Sequence, residues 1–373
     1  MAGKVSIVRC TDYSVAAESV RMSVNLIGGL SAVIKKGNRV LLKPNVLAAR
    51  RPEDAVTTHP AIISAMCELV LEAGGIPVVG DGAGIARPGA TAEAFKTCGI
   101  EAVAREYDVE LINFQSAGFG NVDVPNAMHF PRLFISKTVL NADIIISLPK
   151  LKTHELTYYT GAVKNMFGAL PLKTRKEMHL LAERRLFGEA VIDLYSVVKP
   201  HLAIMDGIVG MEGNGPSHGK PVNTGVVMAS FDPVSLDIVA SRLIGLDPME
   251  VPTTRAALDR GFGTLEPEVA GIPLDEVAVK YKPSNGGILF NIPPVITRIF
   301  GRYYTVRPCI DVSKCILCGA CAGACPVHAI ENKNGKLRID NERCILCYCC
   351  REMCPQNAVA SDRSLLARIL ANA

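Results

Sequence analysis

Eight of the thirteen cysteines stand in two runs of one spacing, Cys315-x2-Cys318-x2-Cys321-x3-Cys325-Pro and Cys344-x2-Cys347-x2-Cys350-x3-Cys354-Pro. A loop this tight brings three thiolates onto one iron–sulfur cubane, and the fourth cysteine of each run ligates the other cluster in two-cluster ferredoxins. The spacing predicts two 4Fe-4S clusters. One is held by Cys315, Cys318, Cys321 and Cys354, the other by Cys344, Cys347, Cys350 and Cys325. Zinc knuckles share the C-x2-C step, but eight cysteines in matched runs, each closed by Cys-Pro, favour clusters. Cys349 would impose x1 and x4 spacings as a ligand, and it reads as a small buried neighbour of the cluster. Cys309, six residues before the first run, reads as structural.

A second set of reactive side chains lies far upstream. Leu148-Pro-Lys-Leu-Lys-Thr-His154 is followed by Thr160-Gly-Ala-Val-Lys-Asn-Met-Phe-Gly168, and residues 150–176 hold six Lys and Arg against one acid, Glu155. If the chain runs extended through 150–154, Lys150, Lys152 and His154 share a face. Such a patch just past a buried strand suits a carboxylate or phosphate; a solvated basic loop would have the same composition. Lys43-Pro-Asn45, at another strand end, could add a point charge and an amide. Glycines at 207, 210, 213 and 215 permit a loop pressed against a ligand. Within that run, Asp206 and Glu212 are candidate metal ligands or an acid and base. Gly80-Asp-Gly-Ala-Gly84 offers a phosphate cradle, without the spacing or acid of a dinucleotide fingerprint. No Walker A or G-x-S-x-G motif is present. Thr57-Thr-His59-Pro60 and Asp232-Pro233 read as helix starts, with Asp237 one turn further in.

The elements that must hold these residues follow from the pattern around them. Val40–Leu42, Ile76–Val79, residues 142–148 and residues 201–205 are apolar runs separated by helical stretches such as 60–73. Continuous apolar strands alternating with helices predict an α/β fold, a mostly parallel sheet with helices on both faces. In such sheets the loops at the carboxyl ends of the strands gather the ligand. The expected organisation is an α/β body over 1–281 and a connector over 282–304 rich in Pro, Gly and Asn, with a short apolar stripe between 292 and 299. A small α+β ferredoxin-like two-cluster domain over 305–360 and a helical tail over 361–373 complete it. The 373 residues are 49 % hydrophobic and 20 % charged with a formal charge of +4. That balance fits a globular α/β protein and gives no argument for nucleic acid. The basic stretch also lacks interleaved aromatics beyond Tyr158 and Tyr159. The first residues read as a strand, not a secretory leader, and no apolar run reaches the length of a membrane span. Metal rather than disulfide, and hence a reducing cytoplasmic setting, is the expectation.

Taken together the chain resembles the family called domain of unknown function 362, which often carries a C-terminal two-cluster ferredoxin module. The resemblance rests on Lys43-Pro-Asn45, Thr58-His59-Pro60, the 148–154 and 160–168 motifs, the glycine run 206–216, and Asp232-Pro-Val-Ser-Leu-Asp237. The family usually has Ala at the place of Ser235. The resemblance implies a shared site built from Lys43, Asn45, His59, Lys150, Lys152, His154, Lys164, Asn165, Asp206 and Glu212. The expected function is an iron–sulfur oxidoreductase that takes electrons from a redox partner protein and passes them to an anionic small molecule in the body. Lys43, Asn45, Lys150, Lys152, Lys164 and Asn165 would hold that molecule, with His154 or His59 as proton donor. A further organic cofactor in the body is left open. The alternative is a non-catalytic electron carrier or assembly factor whose body docks a partner enzyme.

Overall fold

The computed structural model describes residues 3–84, 89–181, 183–284 and 306–363. The apolar stripe expected between 292 and 299 lies outside the described residues, as does the helical tail expected over 361–373 beyond residue 363; its first three residues instead continue the strand Val359–Arg363. The body is built on one ten-stranded sheet. Eight strands follow in the order Glu268–Gly271, Lys4–Arg9, Lys220–Ser230, Leu202–Glu212, Ile144–Leu148, Arg39–Pro44, Ile76–Asp81 and Glu110–Asn113. Lys150–His154 pairs with Leu202–Glu212 and with the short Tyr158–Tyr159. Lys220–Ser230 and Tyr158–Tyr159 pair antiparallel; the other pairings are parallel.

Burial on both faces explains the apolar runs. All five residues of Ile144–Leu148 are buried. Val40 and Leu42 pack with the helices Ala16–Leu26 and Pro60–Glu72 on one face. Leu41 and Ile145 pack with Arg184–Val197 and Pro233–Leu243 on the other. Side chains alternate along a strand, so Lys43 falls on the same face as Leu41, at the strand's carboxyl end.

The helix starts form as the capping residues predict. His59 Nδ1 accepts from Ala61 N–H at 3.2 Å, with Pro60 in the first turn. Asp232 caps Pro233–Leu243 through Val234 N–H. The glycine run behaves differently from a flexible loop. It continues the strand Leu202–Glu212, with a register shift between Gly207 and Val209. Gly210 is small because a Cβ there would lie 1.9 Å from Tyr281 Oη, and Gly213 alone of the four has positive φ.

The cluster segment is a structural repeat. Val306–Ile310 pairs with Val359–Arg363, and Ile330–Lys333 with Lys336–Ile339. Leu317 and Leu346, at matching places in the two ligand loops, share a left-handed φ of 56°. Each loop leads into a short helix, Ala320–Ala324 or Cys349–Glu352, and these two pack together.

Candidate functional site

Cys325, Cys344, Cys347 and Cys350 line one small void, beside Ile330, Ile339 and Tyr348. Cys315, Cys318, Cys321 and Cys354 line a second, beside Ile310, Leu337 and Val359. Each void joins three cysteines of one run to the fourth of the other, because the two packed helices carry Cys325 and Cys354 across. Ala329 N–H donates to Cys325 Sγ and Ala358 N–H to Cys354 Sγ, both at 3.2 Å. Among the described residues no three His, Cys, Asp or Glu side chains meet at a single-ion geometry. Four thiols ringing an apolar void, with amides aimed at sulfur, fit a polynuclear cluster.

Between the carboxyl ends of the strands and the cluster segment lies a cavity of about 120 Å³. Its base is Lys43, fully buried, with Nζ 2.8 Å from Asp81 Oδ1, 3.0 Å from Pro44 O and 3.4 Å from Asn165 Oδ1. Burial pulls the Lys43 pKa down and Asp81 opposes it. Gly168 sits over this pair, where a Cβ would come within 2.2 Å of Asp81 Oδ1 and 2.9 Å of Lys43 Nζ. Arg175 is buried and donates to the carbonyls of Leu170, Gly82, Ala83 and Gly168, which ties the glycine turn after Asp81 to the loop before Leu172–His179. Burial lowers the Arg175 pKa to about 10. Lys164 projects over the Phe167 ring with Nζ 5.5 Å from its centroid, and burial lowers its pKa too. His179 Nδ1 lies 2.7 Å from Arg175 O, so that nitrogen carries the proton, and burial lowers its pKa to about 4.

The remaining wall comes from the cluster segment: Ala324, Cys349, Glu352 and Met353. Several contacts dock that segment on the body. Lys176 Nζ donates to Gly323 O at 2.6 Å, Ser217 Oγ to Glu352 O at 2.9 Å, and His218 Nε2 to Arg351 O at 3.1 Å. Arg351 forms a buried ion pair with Glu155, whose pKa burial nevertheless pushes up to about 7.

Residues 40–242 match the family described as Domain of unknown function (DUF362), and residues 314–358 match a 4Fe-4S dicluster domain. The chain is 33 % identical over 313 residues to the thylakoid-associated protein sll1697 of Synechocystis, spanning 82 % of this chain and 95 % of that one. The chain belongs to the DUF362 family. Its C-terminal segment is a ferredoxin-type 4Fe-4S domain, which gives the protein an iron–sulfur electron-transfer role. Among solved structures, the lactate racemase apoprotein of Thermoanaerobacterium thermosaccharolyticum aligns at 12 % identity and a TM-score of 0.41. The match covers 63 % of this chain and 57 % of that one, and a likeness so loose says nothing of function.

Of the ten body residues that the DUF362 resemblance implied, four reach the cavity: Lys43, Asn45, Lys164 and Asn165. Lys150 and Asp206 are committed to each other. They form a fully buried pair at 2.8 Å, with Tyr13 Oη donating to Asp206 and His59 N–H donating to its other oxygen. His59 stacks on Tyr13 with ring centroids 3.5 Å apart. Glu212 lies at the far end of the same strand as Asp206, where it accepts from Lys282 N–H. Lys152 is buried with Nζ donating to Val56 O at 2.6 Å. His154 is buried, and its Nδ1 accepts from Leu156 and Thr157 N–H, so its proton sits on Nε2. That nitrogen lies 3.4 Å from Glu352 Oε1 without hydrogen-bond geometry, and burial holds the ring neutral. Every side chain of Lys150–His154 is thus inside the protein, on both faces of the strand. Asp81, Thr160, Arg175, His179 and the cluster-side wall were not singled out as site residues. Asp81 lies in the glycine turn read as a phosphate cradle, and Cys349 was visible as the surplus thiol.

Proposed function

We propose that this protein is an iron–sulfur oxidoreductase that takes electrons from a redox partner and delivers them, through two 4Fe-4S clusters, to a small anion held in the cavity. The observation that carries this reading is the shared wall. Ala324, Cys349 and Met353 line the cavity, and each directly adjoins a candidate ligand in sequence: Cys325, Cys350 and Cys354. A molecule bound there is separated from the thiols only by that wall. Four cationic side chains line the cavity, Lys43, Lys164, Arg175 and Lys176, against two acidic ones, Asp81 and Glu352. Lys43 is matched by Asp81 and Glu352 acts on Lys164, so the cavity keeps an excess of cationic over acidic side chains, with Lys164 and Lys176 on its open side, to meet a negative charge. Lys164 faces the cavity, where burial lowers its pKa, and we assign its ammonium as the donor of the proton that reduction requires. Cys318 is exposed and Cys315 half-buried, whereas Cys347 and Cys350 are buried. We therefore assign the partner to the first set of thiols and the cavity to the second.

We place the protein in a reducing, cytoplasmic setting on its free thiols; the thylakoid association belongs to the relative by its name. Among the described residues no helix is long and apolar enough to cross a membrane. The test is anaerobic purification, EPR of the reduced clusters, and mass spectrometry of small molecules released on denaturation. A released anion is expected, and Lys164→Met should weaken anion binding at least tenfold, about 1.5–3 kcal/mol for a lost charged hydrogen bond, with the EPR spectrum unchanged. Reducible clusters with no anion bound, and no effect of Lys164→Met, would leave the protein an electron carrier.

A further inference from the structure

We infer that the anion taken by this cavity carries hydrogen-bond donors of its own, and that it belongs to the small hydroxy- or amino-carboxylates. The inference rests on the anion-binding reading above and narrows its substrate class. Three buried polar atoms without a hydrogen-bond partner among the described residues belong to residues lining this one cavity: Asn45 Oδ1, Thr160 Oγ1 and Glu352 Oε1. Thr160 is 4 % exposed and the Glu352 side chain 9 %. Folded proteins leave few such atoms unpaired, so three around one space mark where a ligand's own groups belong.

The chemistry of these atoms is fixed by their neighbours. Asn165 Nδ2 donates to Lys43 O and to Ser147 Oγ, both at 3.1 Å, which leaves Asn165 Oδ1 as an acceptor. Asn45 must then present Nδ2 to it, at 3.1 Å. The amide of Asn45 cannot be turned round, and its free Oδ1 can only accept. Glu352 adds a carboxylate oxygen. His179 adds a bare Nε2, because Nδ1 holds the proton against Arg175 O. One side of the cavity therefore asks for donors, while Lys164 and Lys176 ask for negative charge. Acetate or sulfate would satisfy the lysines, leave Asn45 unpaired and bring its charge toward Glu352. A carboxylate bearing a hydroxyl or ammonium group satisfies both. The volume of about 120 Å³ is small beside the ~300–1,000 Å³ of pockets for drug-sized ligands, which keeps the candidates to a few heavy atoms.

The test is calorimetric titration of the anaerobic, cluster-loaded protein with glycolate, glycine, acetate and inorganic phosphate. Glycolate and acetate differ by one hydroxyl. Sites that hydrogen-bond a ligand hydroxyl reject the analogue lacking it, so glycolate or glycine should bind at least ~10-fold tighter than acetate. Asn45→Ala should bring that ratio close to one. Thr160→Val, which keeps the shape, should lower the ratio without disturbing the Asn45–Asn165 bond. Acetate and phosphate binding as tightly as glycolate and glycine would overturn this inference and leave anion binding standing. No binding by any of the four would overturn both.

Discussion

At the scale of single residues, the molecule encloses cations at high electrostatic cost. Lys43 and Lys150 each have a carboxylate within 2.8 Å. Lys152 donates to the Val56 carbonyl, and burial, with Lys164 adding to it and Glu352 opposing, pulls its pKa down to about 7. In the unfolded chain it returns to about 10.4. Between those values the unfolded chain binds a proton that the folded protein does not, so raising the pH stabilises the fold, by up to about 1.4 kcal/mol per unit. Lys152→Met removes this dependence. Urea unfolding under anaerobic conditions should show the stability of the wild type gaining about 1.5 kcal/mol on the variant between pH 7 and 8.5. The comparison stops there because buried thiols such as Cys67, pushed up to about 12, act in the opposite sense at higher pH. A gap between the two proteins that stays constant over this range would mean that Lys152 remains solvated.

At the scale of elements, the site depends on how strand ends are closed over one another. Gly168 lies within Met166–Ala169, the 3-10 extension of the helix Gly161–Asn165, against the Lys43–Asp81 pair. Gly168→Ala forces a methyl into that ion pair. Inserting bulk in a packed site costs about 1–3 kcal/mol, so the variant should unfold at lower urea and bind the anion more weakly, while a helix substitution such as Ala17→Ser should do neither. An unaltered anion affinity in Gly168→Ala would show that the ion pair does not shape the cavity. This element also marks how far the sequence could be read. Continuous apolar runs located the strands 39–44, 76–81 and 144–148, and the eight cysteines of the two matched runs line two voids. What the pattern could not convey was the partners of the side chains in Lys150–His154. The whole strand is buried, with Lys150 paired to Asp206, Lys152 donating to Val56 O and His154 beside Glu352. A charged residue's partner is a long-range property, here 56 residues away for Lys150, and no local spacing encodes it. The glycines of 206–215 misled for a related reason: Gly207 and Gly210 answer close neighbours across the fold, not a turn.

At the scale of the whole molecule, the cavity exists only where the cluster segment meets the body. Four of its lining residues, Ala324, Cys349, Glu352 and Met353, lie within a segment whose local fold is organised around eight thiols. Thiolate sites seldom persist without their metal, since ligand binding and local folding share one free energy. The body has its own cores, on both faces of its sheet, with no thiol of the two runs among them. Removing iron anaerobically with a chelator should therefore abolish binding of glycolate to the cavity, although every lysine that faces the ligand is still present. Circular dichroism should retain the body's helices, and its urea transition should persist. The docking contacts give the same argument a second handle. Glu155→Ala leaves Arg351 buried without its carboxylate, a change that costs about 3–5 kcal/mol in comparable pairs. That loss should loosen the wall, and hydrogen exchange at residues 351–353 should rise while the strands 39–44 and 144–148 stay protected. Undiminished anion binding after iron removal would mean that the body forms the site alone, and the case for electrons crossing that wall would fall with it.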